Sequence, residues 1–119
     1  MENKLTTSLN GLNALICGST AGMGKAAAQE FALSGASVTL FARNEEKLKT
    51  TILSLHNSDR QHHQYLVGDF NNPDNIKKVV EAHISSNNKY HILLNNSGGP
   101  KGGPIIEAKT SEFIEGFNR

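Results

Sequence analysis

Three glycines near the start of the chain have the spacing of a phosphate-binding turn. Gly18, Gly22 and Gly24 follow an apolar run in the pattern G-x-x-x-G-x-G. We expect Gly18 to allow a sharp turn, Gly22 to leave room for a pyrophosphate beside backbone amides, and Gly24 to let a helix pack closely on a strand. A helix predicted over Lys25–Ser34 would direct its N–H groups and positive dipole end at that phosphate.

Other residues along the chain extend this predicted anion site. Arg43 follows Ala42, which ends a predicted strand at the position where an NAD-binding protein usually carries an acidic residue. A guanidinium beside a small residue suits a 2′-phosphate, so the pair favours NADP(H) over NAD(H). The alternative is that Arg43 is a solvated loop cation. The hydroxyls of Ser19 and Thr20 are candidate phosphate donors or ordinary turn residues.

The elements that would position these residues alternate along the chain. Apolar, β-branched runs predict strands, and apolar residues three or four apart predict helices. The predicted strands are Leu12–Cys17, Ser37–Ala42, Gln64–Val67 and His91–Asn95, and the predicted helices are Lys25–Ser34, Glu45–Asn57, one from Pro73 and one from near Ser111. This alternation predicts a doubly wound, parallel α/β fold of the Rossmann type that ends after its fourth strand and the following helix.

Two predicted helices carry capping signals and apolar stripes. Asn44 is a candidate N-cap, and Asn72 is another, followed by Pro73 in the first helical position and Asp74 in the first turn. The apolar positions of the helix after Asn44 are Leu48, Ile52 and Leu55. The helix after Asn72 is predicted to bury a stripe formed by Ile76, Val79, Val80, His83 and Ile84.

Composition indicates one small domain. The 119 residues include 37% hydrophobic and 19% charged residues with a net charge of +1, which argues against a broad nucleic-acid or membrane surface. Met1–Gly11 is polar and of mixed charge, and no apolar run approaches the ~20 residues of a membrane span. We therefore expect neither a signal peptide nor an anchor, and a cytoplasmic setting. Cys17 is expected to be buried and inert. His62 and His63 would point to opposite sides of a strand, which argues against a metal site.

These motifs, taken in order, resemble the classical short-chain dehydrogenase/reductase family. That family carries T-G-x-x-x-G-x-G after its first strand, an Asp after the third that meets the adenine ring, and N-N-A-G after the fourth. The matching segments are Cys17–Gly24, Asp69 and Asn95–Gly98, with cysteine in place of threonine and serine in place of alanine. With the phosphate-site residues, the cofactor-binding set then includes Met23, Asp69, Phe70, Asn95, Asn96, Ser97 and Gly98. A turn-capping role for Asp69 and a loop-holding role for Asn95 are the alternatives.

The resemblance also implies an activity. Asn118 is placed like the family's catalytic Asn, and the loop after Asn95 is most similar to bacterial 3-oxoacyl-acyl-carrier-protein reductases of fatty acid biosynthesis. The family transfers hydride with a Ser and a Tyr-x-x-x-Lys pair. Neither Tyr65 nor Tyr90 has a lysine four residues on, so these 119 residues are predicted to match the first half of a member and to lack hydride transfer.

Two functions stay open on the sequence. One is the cofactor-binding portion of an NADP(H)-dependent enzyme that acts on a small carbonyl or hydroxyl substrate, including a carrier-linked one that Lys101 would contact unless it is simply solvated. The other is a non-catalytic module that binds or senses a dinucleotide. Because Ile92–Leu94 would form an exposed sheet edge, we expect the chain to self-associate as a homo-oligomer or to be a proteolytic remnant.

Overall fold

A computed structural model describes residues 8–86, 88–96 and 111. Its elements in chain order are β1 (Asn13–Cys17), α1 (Gly22–Leu33), β2 (Ser37–Ala42), α2 (Glu45–Leu53), β3 (Gln64–Val67), α3 (Pro73–Ser85) and β4 (Ile92–Leu94). Within the described ranges, no helix has the length and apolarity needed to cross a bilayer.

The described strands form one parallel sheet in the order β3-β2-β1-β4. In register, Ala14 of β1 lies between Val38 of β2 and Ile92 of β4. The chain therefore builds outward from β1 to β3 and then returns to the other side of β1. Such a reversal leaves a crevice at the carboxyl ends of the strands, where open α/β sheets bind ligands. The prediction of a Rossmann-type parallel α/β fold is confirmed.

The main hydrophobic core lies between the sheet and the helices α1 and α2. Ala28 and Ala32 of α1 are fully buried, and their small side chains let this helix approach β1 and β2 closely. The larger core side chains on this face are Ile16, Val38, Leu40, Leu48 and Leu55. Cys17 is also buried, as predicted.

Helix α3 lies on the opposite face and is less buried than the sequence predicted. Successive strand residues point to opposite faces, so Thr39 and Phe41 face α3 while the core residues of β2 face α1. None of the predicted stripe is fully buried, and Ile84 is 55% exposed. The prediction of a buried stripe is therefore wrong, because the main hydrophobic cluster is built on the other face of the sheet.

Several boundaries differ from the predictions. Helix α1 begins at Gly22 rather than Lys25, because the N–H of Lys25 already donates to the carbonyl of Ala21. Helix α2 ends at Leu53 rather than Asn57, since the hydroxyl of Ser54 donates to the carbonyl of Thr51 and competes with a further turn. The fourth strand is Ile92–Leu94 rather than His91–Asn95. The third strand agrees with its predicted bounds.

Both predicted N-caps are present. The side-chain oxygen of Asn44 accepts a hydrogen bond from the N–H of Lys47, and that of Asn72 accepts one from the N–H of Asn75. In turn, Asn75 Oδ1 accepts from the N–H of Asp69 at 3.1 Å. The caps therefore fix the two segments that leave the carboxyl ends of β2 and β3.

Candidate functional site

A cleft of about 490 Å³ opens at the carboxyl ends of the strands. Four chain segments line it: the glycine turn, the junction between β2 and α2, the segment after β3, and the end of β4. The lining residues are Gly18, Thr20, Ala21, Gly22, Met23, Ala42, Arg43, Asn44, Lys47, Asp69, Phe70, Asn71 and Asn96. The fold thus brings together residues that are far apart in the sequence.

Two of the glycines are required by close approach. Gly18 has φ +61° and its N–H donates to the carbonyl of Phe41, and an added Cβ would lie 2.6 Å from the carbonyl oxygen of Asn96. A Cβ on Gly24 would lie 2.2 Å from the carbonyl oxygen of Gly18. These contacts agree with the expected sharp turn at Gly18 and the expected close packing at Gly24.

Gly22 instead faces open space. Its φ is +58°, and no atom lies within 4 Å of the position that a Cβ would take. The residue before it, Ala21, provides no side-chain cap, and the first turn of α1 contains no acidic residue. The N–H groups of that turn have no intrahelical acceptor, so they remain available to an anion in the cleft.

The structure separates the two hydroxyl residues of the turn. Thr20 lines the cleft. Ser19 is fully buried behind it, and its Oγ has no hydrogen-bond partner among the described residues. Thr20 therefore lies where it can contact a bound phosphate, whereas Ser19 forms part of the support of the turn.

The junction between β2 and α2 supplies two cations. Arg43 is exposed and follows Ala42, which is 7% exposed and ends β2. Lys47, which the sequence reasoning missed, lines the same cleft one turn further along α2. The sequence feature that could have identified Lys47 is its position as a second basic residue, four positions after Arg43 and in the first turn of a capped helix.

The segment after β3 contributes a carboxylate and a ring. Asp69 Oδ1 accepts from the N–H of Asn71 at 2.9 Å, so the turn-capping role weighed for this residue is present in addition to its place in the cleft. Phe70 packs on Phe41 with ring centroids 5.1 Å apart. Met23 faces the same cleft from the glycine turn and is 81% exposed.

At the end of β4, Asn96 rather than Asn95 holds the neighbouring backbone. Asn96 Nδ2 donates to the carbonyl of Gly18 at 3.3 Å, whereas Asn95 is exposed. Burial raises the pKa of the Cys17 thiol, and a hydrogen bond with the backbone of Asn96 opposes this in part. The neutral thiol therefore serves as a packing group beneath the glycine turn.

Some predicted site residues are not covered by the described part of the chain. Ser97, Gly98, Lys101 and Asn118 are outside the described residues, as is most of the helix predicted from near Ser111. His63 uses both ring nitrogens, since Nδ1 accepts from the N–H of Val38 and Nε2 bonds to the carbonyl of His56.

Comparison with known proteins assigns the family. Residues 12–119 match the family described as short chain dehydrogenase. The chain belongs to this family of oxidoreductases, and the resemblance of its motifs to that family is confirmed. A particular resemblance to 3-oxoacyl-acyl-carrier-protein reductases does not stand out, because the relatives have varied names.

Three relatives illustrate the range. A tropinone reductase homologue of Arabidopsis thaliana is 37% identical over 95% of this chain and 35% of its own length. L-Sorbose reductase from Gluconobacter frateurii, solved with NADPH and L-sorbose, is 31% identical with a TM-score of 0.75, over 92% of this chain and 41% of that one. Actinorhodin polyketide ketoreductase, solved with NADPH, is 27% identical with a TM-score of 0.74, over 90% and 41%. This chain therefore spans less than half the length of these relatives.

Proposed function

We propose that residues 1–119 form the NADP(H)-binding N-terminal part of a single Rossmann-type domain of a short-chain dehydrogenase/reductase. The observation that carries this proposal is the composition of the cleft, in which the open space at Gly22 meets the guanidinium of Arg43. Ala42 leaves the end of β2 without a carboxylate that would repel a 2′-phosphate. The NADPH in the two solved relatives supports the same cofactor.

Each wall of the cleft has a role in this proposal. The N–H groups at the start of α1 hold the pyrophosphate beside Gly22, with Thr20 as a hydroxyl donor. Arg43 binds the 2′-phosphate through its fork of N–H groups. Asp69 and Phe70 would hold the adenine, and the segment from Asn95 to Gly98 would flank the nicotinamide end.

The activity proposed for the whole protein is NADP(H)-dependent reduction of a carbonyl, or oxidation of the corresponding hydroxyl. NADP(H), when bound, donates or accepts the hydride. The residues of this chain bind and orient the cofactor, and Asn118 is the proposed catalytic residue among them. We retain a 3-oxoacyl, carrier-linked substrate as the finer proposal, on the pattern of the loop after Asn95.

A non-catalytic dinucleotide-binding module is the second candidate, and the positions of the tyrosines favour it for these residues. Tyr65 donates to Glu45 Oε2 and Tyr90 donates to Thr39 Oγ1, so neither hydroxyl lines the cleft. A reading frame that continues past residue 119 with a Tyr-x-x-x-Lys pair, in a protein that oxidises NADPH with a 3-oxoacyl thioester, would support the enzyme. Cofactor binding without turnover by the protein encoded by the full reading frame would support the module.

Calorimetric titration with NADPH and NADH tests the cofactor proposal. We expect the chain to bind NADPH more tightly than NADH. Arg43→Ala should weaken the affinity for NADPH by about 10- to 150-fold, the equivalent of a charge-assisted hydrogen bond worth about 1.5–3 kcal/mol. NADH affinity should stay within about twofold. Arg60→Ala is the matched control, since Arg60 is exposed and does not line the cleft. Equal weakening of both cofactors by Arg43→Ala would contradict the 2′-phosphate role.

A further inference from the structure

Lys47 is the cation that two neighbouring cavities share. Besides the main cleft, it lines a side pocket of about 370 Å³ formed by residues at the start of α1 and along α2. The other residues of the side pocket are polar or charged: Thr20, Lys25, Asn44, Glu46, Thr50 and Thr51. Thr20, Asn44 and Lys47 line both cavities and therefore form the boundary between them.

Positive charge is concentrated at this boundary. Arg43 lies on its cleft side and Lys25 on its side-pocket side, with Lys47 between. The acidic residue of the side pocket, Glu46, is 3.6 Å from the ammonium of Lys49, which offsets part of its charge. In the cleft, Asp69 already accepts a backbone hydrogen bond. The boundary is therefore suited to an anion.

The position of Lys47 near the start of α2 is unfavourable for a cation. Lys47 is the third residue of the helix, where the positive end of the dipole disfavours a cation, and the Asn44 cap holds its backbone in place. Lys49 differs, because it lies 3.9 Å from Glu45 and 3.6 Å from Glu46. An anion at the boundary would offset the unfavourable placement of Lys47.

We propose that Lys47 is a specificity-determining residue that holds the 2′-phosphate of NADP(H) together with Arg43. This inference rests on the proposed function and adds a second cation to its cofactor site. A phosphate group carries about −1.5 to −2 charges at neutral pH and three strong acceptor oxygens. These oxygens can accept hydrogen bonds from the guanidinium of Arg43 and the ammonium of Lys47 together. NADH has no such group, so Lys47 contributes little to its affinity.

The test is a titration of Lys47→Gln and Lys49→Gln with NADPH and NADH. Both variants lose one positive charge from α2, but Lys49 does not line either cavity. We expect Lys47→Gln to weaken the affinity for NADPH about tenfold and the affinity for NADH by no more than about twofold. Lys49→Gln should leave both affinities within about twofold, and Lys47→Arg should retain the preference for NADPH. Circular dichroism verifies that each variant is folded.

The outcomes separate this inference from the proposed function. If the unaltered chain binds neither cofactor, the proposed function itself fails. If the chain prefers NADPH and Arg43→Ala removes that preference while Lys47→Gln keeps it, only the role of Lys47 is overturned. Equal losses for NADPH and NADH in Lys47→Gln would also overturn it, since the residue would then act through the shape of the cleft rather than on the 2′-phosphate.

Discussion

At the residue scale, the close approach of Gly24 to Gly18 predicts whether alanine at position 24 would stabilise or destabilise the protein. Helix propensity alone predicts that alanine at position 24 would stabilise α1 by up to about 1 kcal/mol. The contact predicts the opposite, because the new Cβ would lie 2.2 Å from a backbone oxygen and 2.8 Å from Asn96 Nδ2. We expect Gly24→Ala to lower the free energy of unfolding by about 3 kcal/mol, measured by urea denaturation.

Gly22→Ala is the matched control for this prediction. The added Cβ would meet no atom within 4 Å, so only the positive φ should cost stability, by about 1 kcal/mol. Its Cβ would project into the cleft. We therefore expect Gly22→Ala to reduce the free energy of NADPH binding by more than it reduces the free energy of unfolding. An equal or smaller loss of stability in Gly24→Ala than in Gly22→Ala would contradict the packing role of Gly24.

The residues of the site differ in how far the sequence could predict them. The three glycines were predictable because their spacing depends only on neighbouring residues, which form a strand, a turn and the start of a helix. Lys47 was not, since a lysine on the exposed part of an amphipathic helix has the same pattern as a solvated cation. Its significance depends on how α1 and α2 approach each other, which is a tertiary feature.

At the element scale, a polar link joins α3 to the sheet and makes stability depend on pH. Tyr90 OH donates to Thr39 Oγ1 at 2.8 Å and contacts His83 Nε2. Burial lowers the pKa of His83 below its ordinary value of 6.5. As the pH falls below 6.5, the unfolded chain binds a proton before the folded chain does, so stability is lost. Above that pH the histidine is neutral in both states and this loss is absent.

Denaturation of His83→Gln at several pH values between 7.5 and 5 checks this link. The variant keeps a polar group for Tyr90 but cannot bind the proton, so it should lose less stability than the unaltered chain as the pH falls. The difference should stay well below the limit of about 1.4 kcal/mol per pH unit, because solvent screens a partly exposed imidazole. Ile84→Gln, next to it on α3, should show the same pH slope as the unaltered chain. A parallel slope for His83→Gln would contradict the assignment.

Local signals predicted the elements better than their burial. The caps at Asn44 and Asn72 and the bounds of β3 follow from neighbouring residues, and the structure reproduces them. The burial of the α3 stripe could not be predicted in this way. Periodicity identifies which side of a helix is apolar but not how much of the molecule covers that side. The end of α2 was missed for a local reason, the competing hydrogen bond of Ser54.

At the scale of the whole molecule, alternation of strands and helices was enough to predict the fold class. Alternation does not by itself specify the strand order β3-β2-β1-β4, because right-handed crossovers are compatible with more than one point at which the chain reverses. The 3-oxoacyl substrate had a weaker basis, since it depended on a loop rich in glycine and proline. Such a loop presents few side chains, so its composition does not define the shape of a substrate, and the relatives act on or are named for varied compounds.

Strand β4, at the margin of the described sheet, leads to a prediction of self-association. In the described part of the chain this strand pairs with β1 alone, its three residues are all apolar, and Leu93 is 58% exposed. An apolar edge strand with unpaired backbone groups favours pairing with another chain.

We therefore expect sedimentation velocity to show association that increases with concentration, and Leu93→Lys to reduce it severalfold while circular dichroism stays unchanged. Leu53→Lys is the control, since Leu53 is 86% exposed on α2 and away from this edge. A folded monomer at every concentration, or equal effects of the two substitutions, would contradict association through β4.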